Sequence, residues 1–117
     1  MKQHDLGKWG EQLAHQFLTT KGYVILFRNW RSKKAEVDLI AFYKNRIILV
    51  EVKTRSNTLY GEPIQSISNK KIELLRQAAE DFLNQYNLEN EIQIDVFGID
   101  GDERAYQIEW ISDAIGF

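Results

Sequence analysis

One short aliphatic segment constrains the fold more than any other part of the chain. Ile47–Val50 places four aliphatic residues in a row, and Glu51-Val52-Lys53 follows directly. A run of this length is typical of a strand, and it is far shorter than the about 20 apolar residues that cross a bilayer as a helix. The sequence therefore predicts a strand over 46–53. Its polar end carries Glu51 and Lys53 on one face, because side chains alternate along a strand.

The other segments show either helical or strand patterns. Apolar residues at helical spacing predict helices, and β-branched or alternating stretches predict strands. Asp5 and Ser68 are the expected N-caps, Gly22 ends the first helix, and Asp100-Gly101 is the expected last turn. We expect helices at 5–21 and 69–86, strands at 23–30, 35–43, 46–53, 91–99 and 104–111, and a loop at 54–68.

This order of elements, α-β-β-β-α-β-β, predicts an α/β fold in a single domain, residues 1–117. The chain is 44% apolar and 27% charged, which suits one hydrophobic core and excludes a disordered class. A helix between the third and fourth strands implies a right-handed crossover and a parallel pair. The first three strands are expected to form an antiparallel meander. The sequence thus predicts a mixed β-sheet flanked by helices.

Composition narrows the classes of function. There is no cysteine, so disulfides and thiolate metal sites are excluded, and a cytoplasmic protein is expected. The first residues lack the apolar region of a signal peptide, and we expect no membrane segment. The net charge is −2, yet residues 1–76 hold fourteen Lys and Arg against seven Asp and Glu. That bias leaves two alternatives open, a basic face for nucleic acid and an ordinary solvated surface.

A group of charged residues is expected where the second and third strands end. If Lys44-Asn45 is a two-residue turn, Asp38 faces Glu51 and Glu36 faces Lys53. Strict alternation then places Glu36, Asp38 and Ile40 on one face of the strand and Val37, Leu39 and Ala41 on the other.

Directly opposed side chains have Cβ atoms about 5 Å apart, so two carboxylates there repel each other unless a cation compensates. Mg²⁺ is suited to such oxygen ligands and takes its remaining positions from water and phosphate. Lys53, further along the same face, would hydrogen-bond the water or the scissile phosphate. The pattern indicates a site that cuts phosphodiesters, with surface ion pairs among Glu36, Asp38, Lys53 and Arg55 as the open alternative.

Asp38 followed by Glu51-Val52-Lys53 resembles the core of the PD-(D/E)xK nuclease superfamily. The longer sequence between about Leu6 and Ile99 resembles the bacterial YraN-like proteins, a group similar to archaeal Holliday junction resolvases. The motifs that carry this resemblance are, in order, GxxGE, RNWR, EVDLIA and EVKTR. The resemblance implies a restriction-endonuclease-like fold. It implies Asp38, Glu51 and Glu11 as metal ligands, Lys53 as the catalytic lysine, and Glu36 as a further acid of the site. An ordinary solvent-facing position on the first helix is the alternative for Glu11. Ala35 replaces the glycine usual in the family, which touches no ligand.

Several basic residues flank this group in sequence or lie on the second helix away from its apolar stripe. Tyr60 is the one aromatic considered for substrate contact, and the three tryptophans are expected in the core. A solvated basic rim is the alternative for each residue. The candidate phosphate contacts are Arg28, Arg31, Lys33, Lys34, Arg55, Lys70, Lys71 and Arg76.

Together these features lead us to expect a Mg²⁺-dependent endonuclease that acts on DNA, with branched junctions as a candidate substrate and Mn²⁺ able to replace Mg²⁺. A resolvase that cuts both strands symmetrically needs two active sites, so a homodimer is expected in that case. The alternative is an adaptor that keeps the nuclease fold and binds nucleic acid without cutting it.

Overall fold

The computed structural model describes residues 2–56 and 61–117 as one mixed α/β domain, with helices on both sides of a five-stranded sheet. The expected order α-β-β-β-α-β-β is confirmed. A short 3₁₀ turn, Pro63–Ser66, follows the third strand. The elements are α1 Gln3–Thr20, β1 Val24–Ser32, β2 Ala35–Tyr43, β3 Arg46–Arg55, α2 Asn69–Gln85, β4 Glu91–Asp102 and β5 Ala105–Ile115.

The sheet follows chain order, β1-β2-β3-β4-β5, and every neighbouring pair is antiparallel except β3 with β4. The parallel pair is the one joined through α2, as a crossover connection requires. The β2–β3 connection is the predicted tight turn, since Lys44 and Asn45 both have positive φ. This turn sets the register that pairs Leu39 with Val50, so the predicted register is confirmed over this part of the hairpin.

The aliphatic segment of β3 is buried on both faces. Ile47 and Leu49 pack under α2, whereas Ile48 and Val50 pack under α1. Two hydrophobic clusters result, here called the α2 cluster and the α1 cluster. This double burial explains the absence of polar alternation in the run, because a strand covered by helices on both sides has no face in water.

The strict alternation expected in β2 is wrong at Asp38. Val37 and Ile40 pack in the α2 cluster, whereas Leu39 packs in the α1 cluster. Across the ladder, Asn29 of β1 lies between the pairs that flank Asp38 and has a φ of 52°. This local irregularity in both strands exchanges the two faces at Asp38 and frees its side chain from the regular pleat.

Of three smaller expectations, two are corrected and one is confirmed. Helix α1 begins at Gln3 with Lys2 as its N-cap, so Asp5 lies in the first turn and is not the cap. The last hairpin turns at 103–104, and Gly101 lies within β4 with a φ of 124°. Ser68 caps α2 as expected, its hydroxyl accepting a hydrogen bond from the Lys71 amide at 3.1 Å.

Helix α1 lies close against the sheet at a glycine. A methyl group added to Gly10 would overlap the side chain of Thr54 on β3. The absence of a side chain there lets the helix backbone lie directly on the strand. Glu11 is the next residue along the helix, so this contact sets its height above the sheet.

Candidate functional site

The β2–β3 ladder stops at Leu39 and Val50, just before the two predicted metal ligands. Beyond that point the side chain of Asp38 replaces a backbone carbonyl as the acceptor. Its Oδ2 accepts a hydrogen bond of 2.8 Å from the Val52 amide. The Asp38 and Glu51 carboxyl groups lie within hydrogen-bonding reach of each other. The structure therefore brings together the pair of acids that the hairpin register predicts.

Burial gives this acid pair unusual protonation. Burial, and then the neighbouring Asp38 carboxylate, raises the pKa of Glu51 from 4.5 to about 8. Burial also raises the pKa of Asp38, and the hydrogen bond from the Val52 amide opposes that rise. Two carboxyls in contact titrate as a unit. Near neutral pH, without a cation, the pair retains a proton.

One oxygen of Glu51 is left without a partner. The Glu51 side chain is 12% exposed, and within residues 2–56 and 61–117 its buried Oε1 accepts no hydrogen bond. The nearest cation is the Lys71 ammonium, whose Nζ lies 3.7 Å away. A buried carboxylate oxygen in this state is costly unless a cation or proton meets it.

Glu11 approaches the pair from the other side of the sheet. Its pKa is raised first by burial and then by the charge of Asp38, while Arg28 opposes the rise. Glu11 belongs to α1, whereas Glu51 shares the α2 face with Leu49. Among the described residues, no three His, Cys, Asp or Glu side chains are arranged to hold one metal ion. The predicted ligand set Asp38, Glu51 and Glu11 is therefore not assembled as one cluster, and the link between Glu11 and Asp38 is the repulsion of their charges, which raises the pKa of Glu11.

The predicted pairing of Glu36 with Lys53 is wrong, because the ladder ends before these residues. The Glu36 carboxylate instead meets Arg31 of β1 at 3.2 Å. Lys53 continues into the parallel ladder opposite Gly98. It remains close enough to Glu51 for its charge to lower the pKa of that acid, as the smallest of the contributions.

Lys71 is the site residue whose position sequence reasoning missed. It was expected to contact phosphate from the surface of α2. The structure places its ammonium in the site, donating a hydrogen bond of 2.7 Å to the Glu36 carbonyl and facing Glu51. A helix N-cap at Ser68 indicates where α2 begins, but nothing local in the sequence shows which strand end its first turn faces.

The remaining basic candidates fall into two groups. Arg28 lies close enough to Glu11 to lower the pKa of that acid, and Lys70 is exposed on α2, as is Lys34 in the β1–β2 turn. Others already bind acidic side chains: Arg31 binds Glu36, Lys33 lies 3.7 Å from Asp81, and Arg76 binds Glu73 and the Gly116 carbonyl.

Arg55 differs from the candidates on the surface. Its side chain is 9% exposed and forms two hydrogen bonds to Asp100 of β4, at 2.8 and 3.1 Å. This buried pair joins the ends of the two parallel strands, which is a structural role. Arg55 is therefore not placed to contact a phosphate backbone from the protein surface. Tyr60 lies outside the described residues.

The tryptophans are part of the packed interior, as predicted. Trp30 belongs to the α2 cluster, and Trp9 and Trp110 pack against the α1 cluster. The Trp110 indole N–H donates to the fully buried Asp95 carboxylate at 2.9 Å.

None of the helices within residues 2–56 and 61–117 combines the length and apolar character needed to cross a membrane.

Comparisons with known proteins identify the family. The profile of the uncharacterised protein family UPF0102 matches residues 10–99, and the chain belongs to this family, in agreement with the expected YraN-like resemblance. The UPF0102 protein FP2501 of Flavobacterium psychrophilum is 41% identical over 97% of both chains. A UPF0102 protein of Bacteroides thetaiotaomicron is 35% identical over 97% of this chain and 95% of its own length.

Among solved structures, the chain is similar to SfsA of Pyrococcus furiosus in complex with Ca²⁺. The TM-score is 0.43 and the identity 15%, with 97% of this chain and 65% of that chain covered. The chain thus spans just under two-thirds of the length of that structure.

Proposed function

We propose that this protein is a metal-dependent endonuclease that hydrolyses phosphodiester bonds in DNA. One observation carries the proposal: Asp38 and Glu51 meet at the open end of the β2–β3 hairpin, and the buried Oε1 of Glu51 accepts no hydrogen bond from the described parts of the chain. Such a pair is destabilised without a cation and suited to one.

The donor set fits a small divalent ion. Asp38 has one oxygen bound to the Val52 amide and a second available to a ligand, and Glu51 offers its unpartnered Oε1. Mg²⁺ is held by one or two carboxylates, with waters and substrate phosphate filling the other positions. Two protein ligands are therefore sufficient, and Mn²⁺ would be accepted by the same oxygens.

When bound, the metal would supply Lewis-acid catalysis at the phosphate and a water of lowered pKa. The residues of the chain do the rest. Asp38 and Glu51 would hold the ion at the open end of the hairpin. Lys53, on the same face of β3 as Glu51, donates to the attacking water or to the phosphate. Glu11 keeps negative potential behind Asp38, and Glu36 holds Arg31 at the edge of the site.

The sequence resemblance to PD-(D/E)xK nucleases and to archaeal Holliday junction resolvases supports the same chemistry. On that basis we propose branched DNA as the substrate, a homodimer with one site for each strand, and a cytoplasmic location. The DNA backbone would be bound by Arg28, Lys34 and Lys70, with Arg31, Lys33 and Arg76 available once their present acidic partners are exchanged for phosphates.

The test is cleavage of linear, single-stranded, flap and four-way-junction DNA in Mg²⁺ or Mn²⁺. Wild type is compared with Asp38→Asn, which keeps an oxygen for the Val52 amide but removes the negative charge, and with Lys53→Met. Glu80→Gln, on the exposed side of α2, is the matched control. We expect Asp38→Asn and Lys53→Met each to lower the cleavage rate at least about a hundredfold, because each removes a group that acts in the transition state. Cleavage by Asp38→Asn at the wild-type rate would refute the proposed site.

A second candidate is a nucleic-acid-binding adaptor without turnover. It is favoured by the Lys71 ammonium, which already partly neutralises the acid pair in the absence of metal. This function predicts salt-sensitive binding of branched DNA that is equally tight with Mg²⁺ and with EDTA, and no cleavage. Cleavage that depends on Asp38 would exclude the adaptor.

A further inference from the structure

The ammonium of Lys71 lies beside the acid pair, on the side of Glu51 Oε1. The hydrogen bond from its backbone amide to the Ser68 cap holds Lys71 in the first turn of α2. Its side chain, 29% exposed, reaches across to β2 and donates to the Glu36 carbonyl at 2.7 Å. The ammonium thereby stands 3.7 Å from Glu51 Oε1.

The distances show that Lys71 supplies charge to Glu51 without satisfying it. At 2.7 Å the ammonium makes a full hydrogen bond to the Glu36 carbonyl, whereas 3.7 Å exceeds the length of a hydrogen bond. Glu51 Oε1 therefore gains electrostatic stabilisation and keeps its lone pairs free. This oxygen can therefore bind a metal ion, but the positive charge of Lys71 beside it repels a second cation.

We propose that Lys71 is the resident counter-ion of the Asp38–Glu51 pair and competes with the divalent metal for Glu51. The inference rests on the proposed function, since it takes the acid pair as the metal site. Lys71 is then a positioning residue. It keeps the free site folded with both acids in place, and it limits metal binding by charge repulsion.

A counter-ion and a simple tether between α2 and β2 predict different effects on the metal affinity when the Lys71 ammonium is removed. A monovalent and a divalent cation held about 4 Å apart repel strongly even in water, and removing the ammonium should tighten metal binding at least about tenfold. A tether that acts only through the Glu36 carbonyl would change thermal stability and leave the metal affinity as it is or weaken it.

The experiment is isothermal titration of the nucleic-acid-free protein with Mg²⁺, so that its readout does not depend on cleavage. Wild type is compared with Lys71→Met, which keeps the length of the apolar stem and removes the charge. Lys44→Met, in the β2–β3 turn at the far end of the hairpin, controls for the change in net charge. Each protein is titrated at several pH values, and affinities are compared where they no longer change with pH, so that proton release does not contribute.

Because the chain contains no cysteine, the charge can be restored at one chosen position. The thiol of Lys71→Cys is alkylated with 2-bromoethylamine, which rebuilds a side chain of nearly lysine length with a terminal ammonium. Alkylation of the same variant with iodoacetamide gives a neutral side chain of similar reach. A thermal melt of each protein verifies folding.

Tighter Mg²⁺ binding by Lys71→Met and by the neutral alkylated protein, with wild-type affinity restored by the ammonium, would support the inference. Equal or weaker binding by a folded Lys71→Met would overturn it and leave the nuclease proposal standing. Failure of all variants to bind Mg²⁺ would overturn the metal site itself, and with it the proposed nuclease.

Discussion

Replacing Glu51 with Gln should remove most of the pH dependence of folding stability between pH 5 and pH 9. Burial and the Asp38 carboxylate raise the Glu51 pKa from 4.5 to about 8 in the folded protein. The folded state therefore binds a proton more tightly than the unfolded state in this interval. Stability is highest below the unfolded pKa and is lost as the pH rises through the folded pKa.

The size of the effect follows from the same values. A rise in pKa from 4.5 to about 8 corresponds to about 5 kcal/mol, at about 1.4 kcal/mol for each pKa unit. This is comparable with the whole free energy of unfolding of a small domain, which is about 5–15 kcal/mol. Glu51→Gln stays neutral throughout and its amide can donate to Asp38. The variant should match wild type near pH 5 and exceed it by several kcal/mol at pH 9.

Urea unfolding followed by tryptophan fluorescence measures this difference, in EDTA so that no metal contributes. The buried Trp30 reports the loss of the α2 cluster. Glu80→Gln is the control, because it removes an exposed carboxyl from α2 and should follow the wild-type profile. Parallel pH profiles for wild type and Glu51→Gln would refute the reasoning, since they would mean that Glu51 ionises in the folded protein as it does in the unfolded chain.

Three further outcomes are expected. Asp38→Ala should lower the free energy of unfolding by about 1–3 kcal/mol relative to Asp38→Asn, because it alone leaves the Val52 amide unpaired; equal urea midpoints would contradict this. Mg²⁺ should raise the melting temperature of wild type at about pH 8 but not that of Asp38→Asn, because ligands stabilise the state that binds them; an equal rise in both would place the metal elsewhere. Asp95→Ala should cost about 3–5 kcal/mol in urea unfolding, because its buried carboxylate accepts hydrogen bonds from three N–H groups that would be left unpaired; Glu103→Ala, in the exposed last turn, is the control, and a similar small loss in both would contradict this.

The contact between Asp38 and Glu51 could be predicted because it depends on local chemistry. Lys44 and Asn45 tolerate positive φ, which fixes a two-residue turn and the register of the hairpin. The apolar run of β3 likewise indicated a strand. These features are encoded within a few residues of where they act.

The parts that could not be predicted depend on distant segments. The reversal of faces at Asp38 occurs opposite Asn29, in another strand, where a left-handed residue disturbs the pleat. The position of Lys71 depends on how a crossover of thirteen residues, 56–68, returns α2 to the sheet. The burial of Arg55 depends on Asp100, 45 residues later. Strand alternation and helical spacing carry no information about such meetings.

The contact of Gly10 with Thr54 fixes the position of α1 next to Glu11. Towards its C-terminal end the helix is anchored by the buried side chains of Ala14 and Leu18. At Gly10, the helix backbone lies against the side chain of Thr54. Any displacement of α1 at this contact would change the separation of Glu11 from Asp38, and with it the repulsion between their charges. The distance between Glu11 and Asp38 therefore depends on how α1 packs on the sheet, whereas Asp38 and Glu51 are both carried by the hairpin.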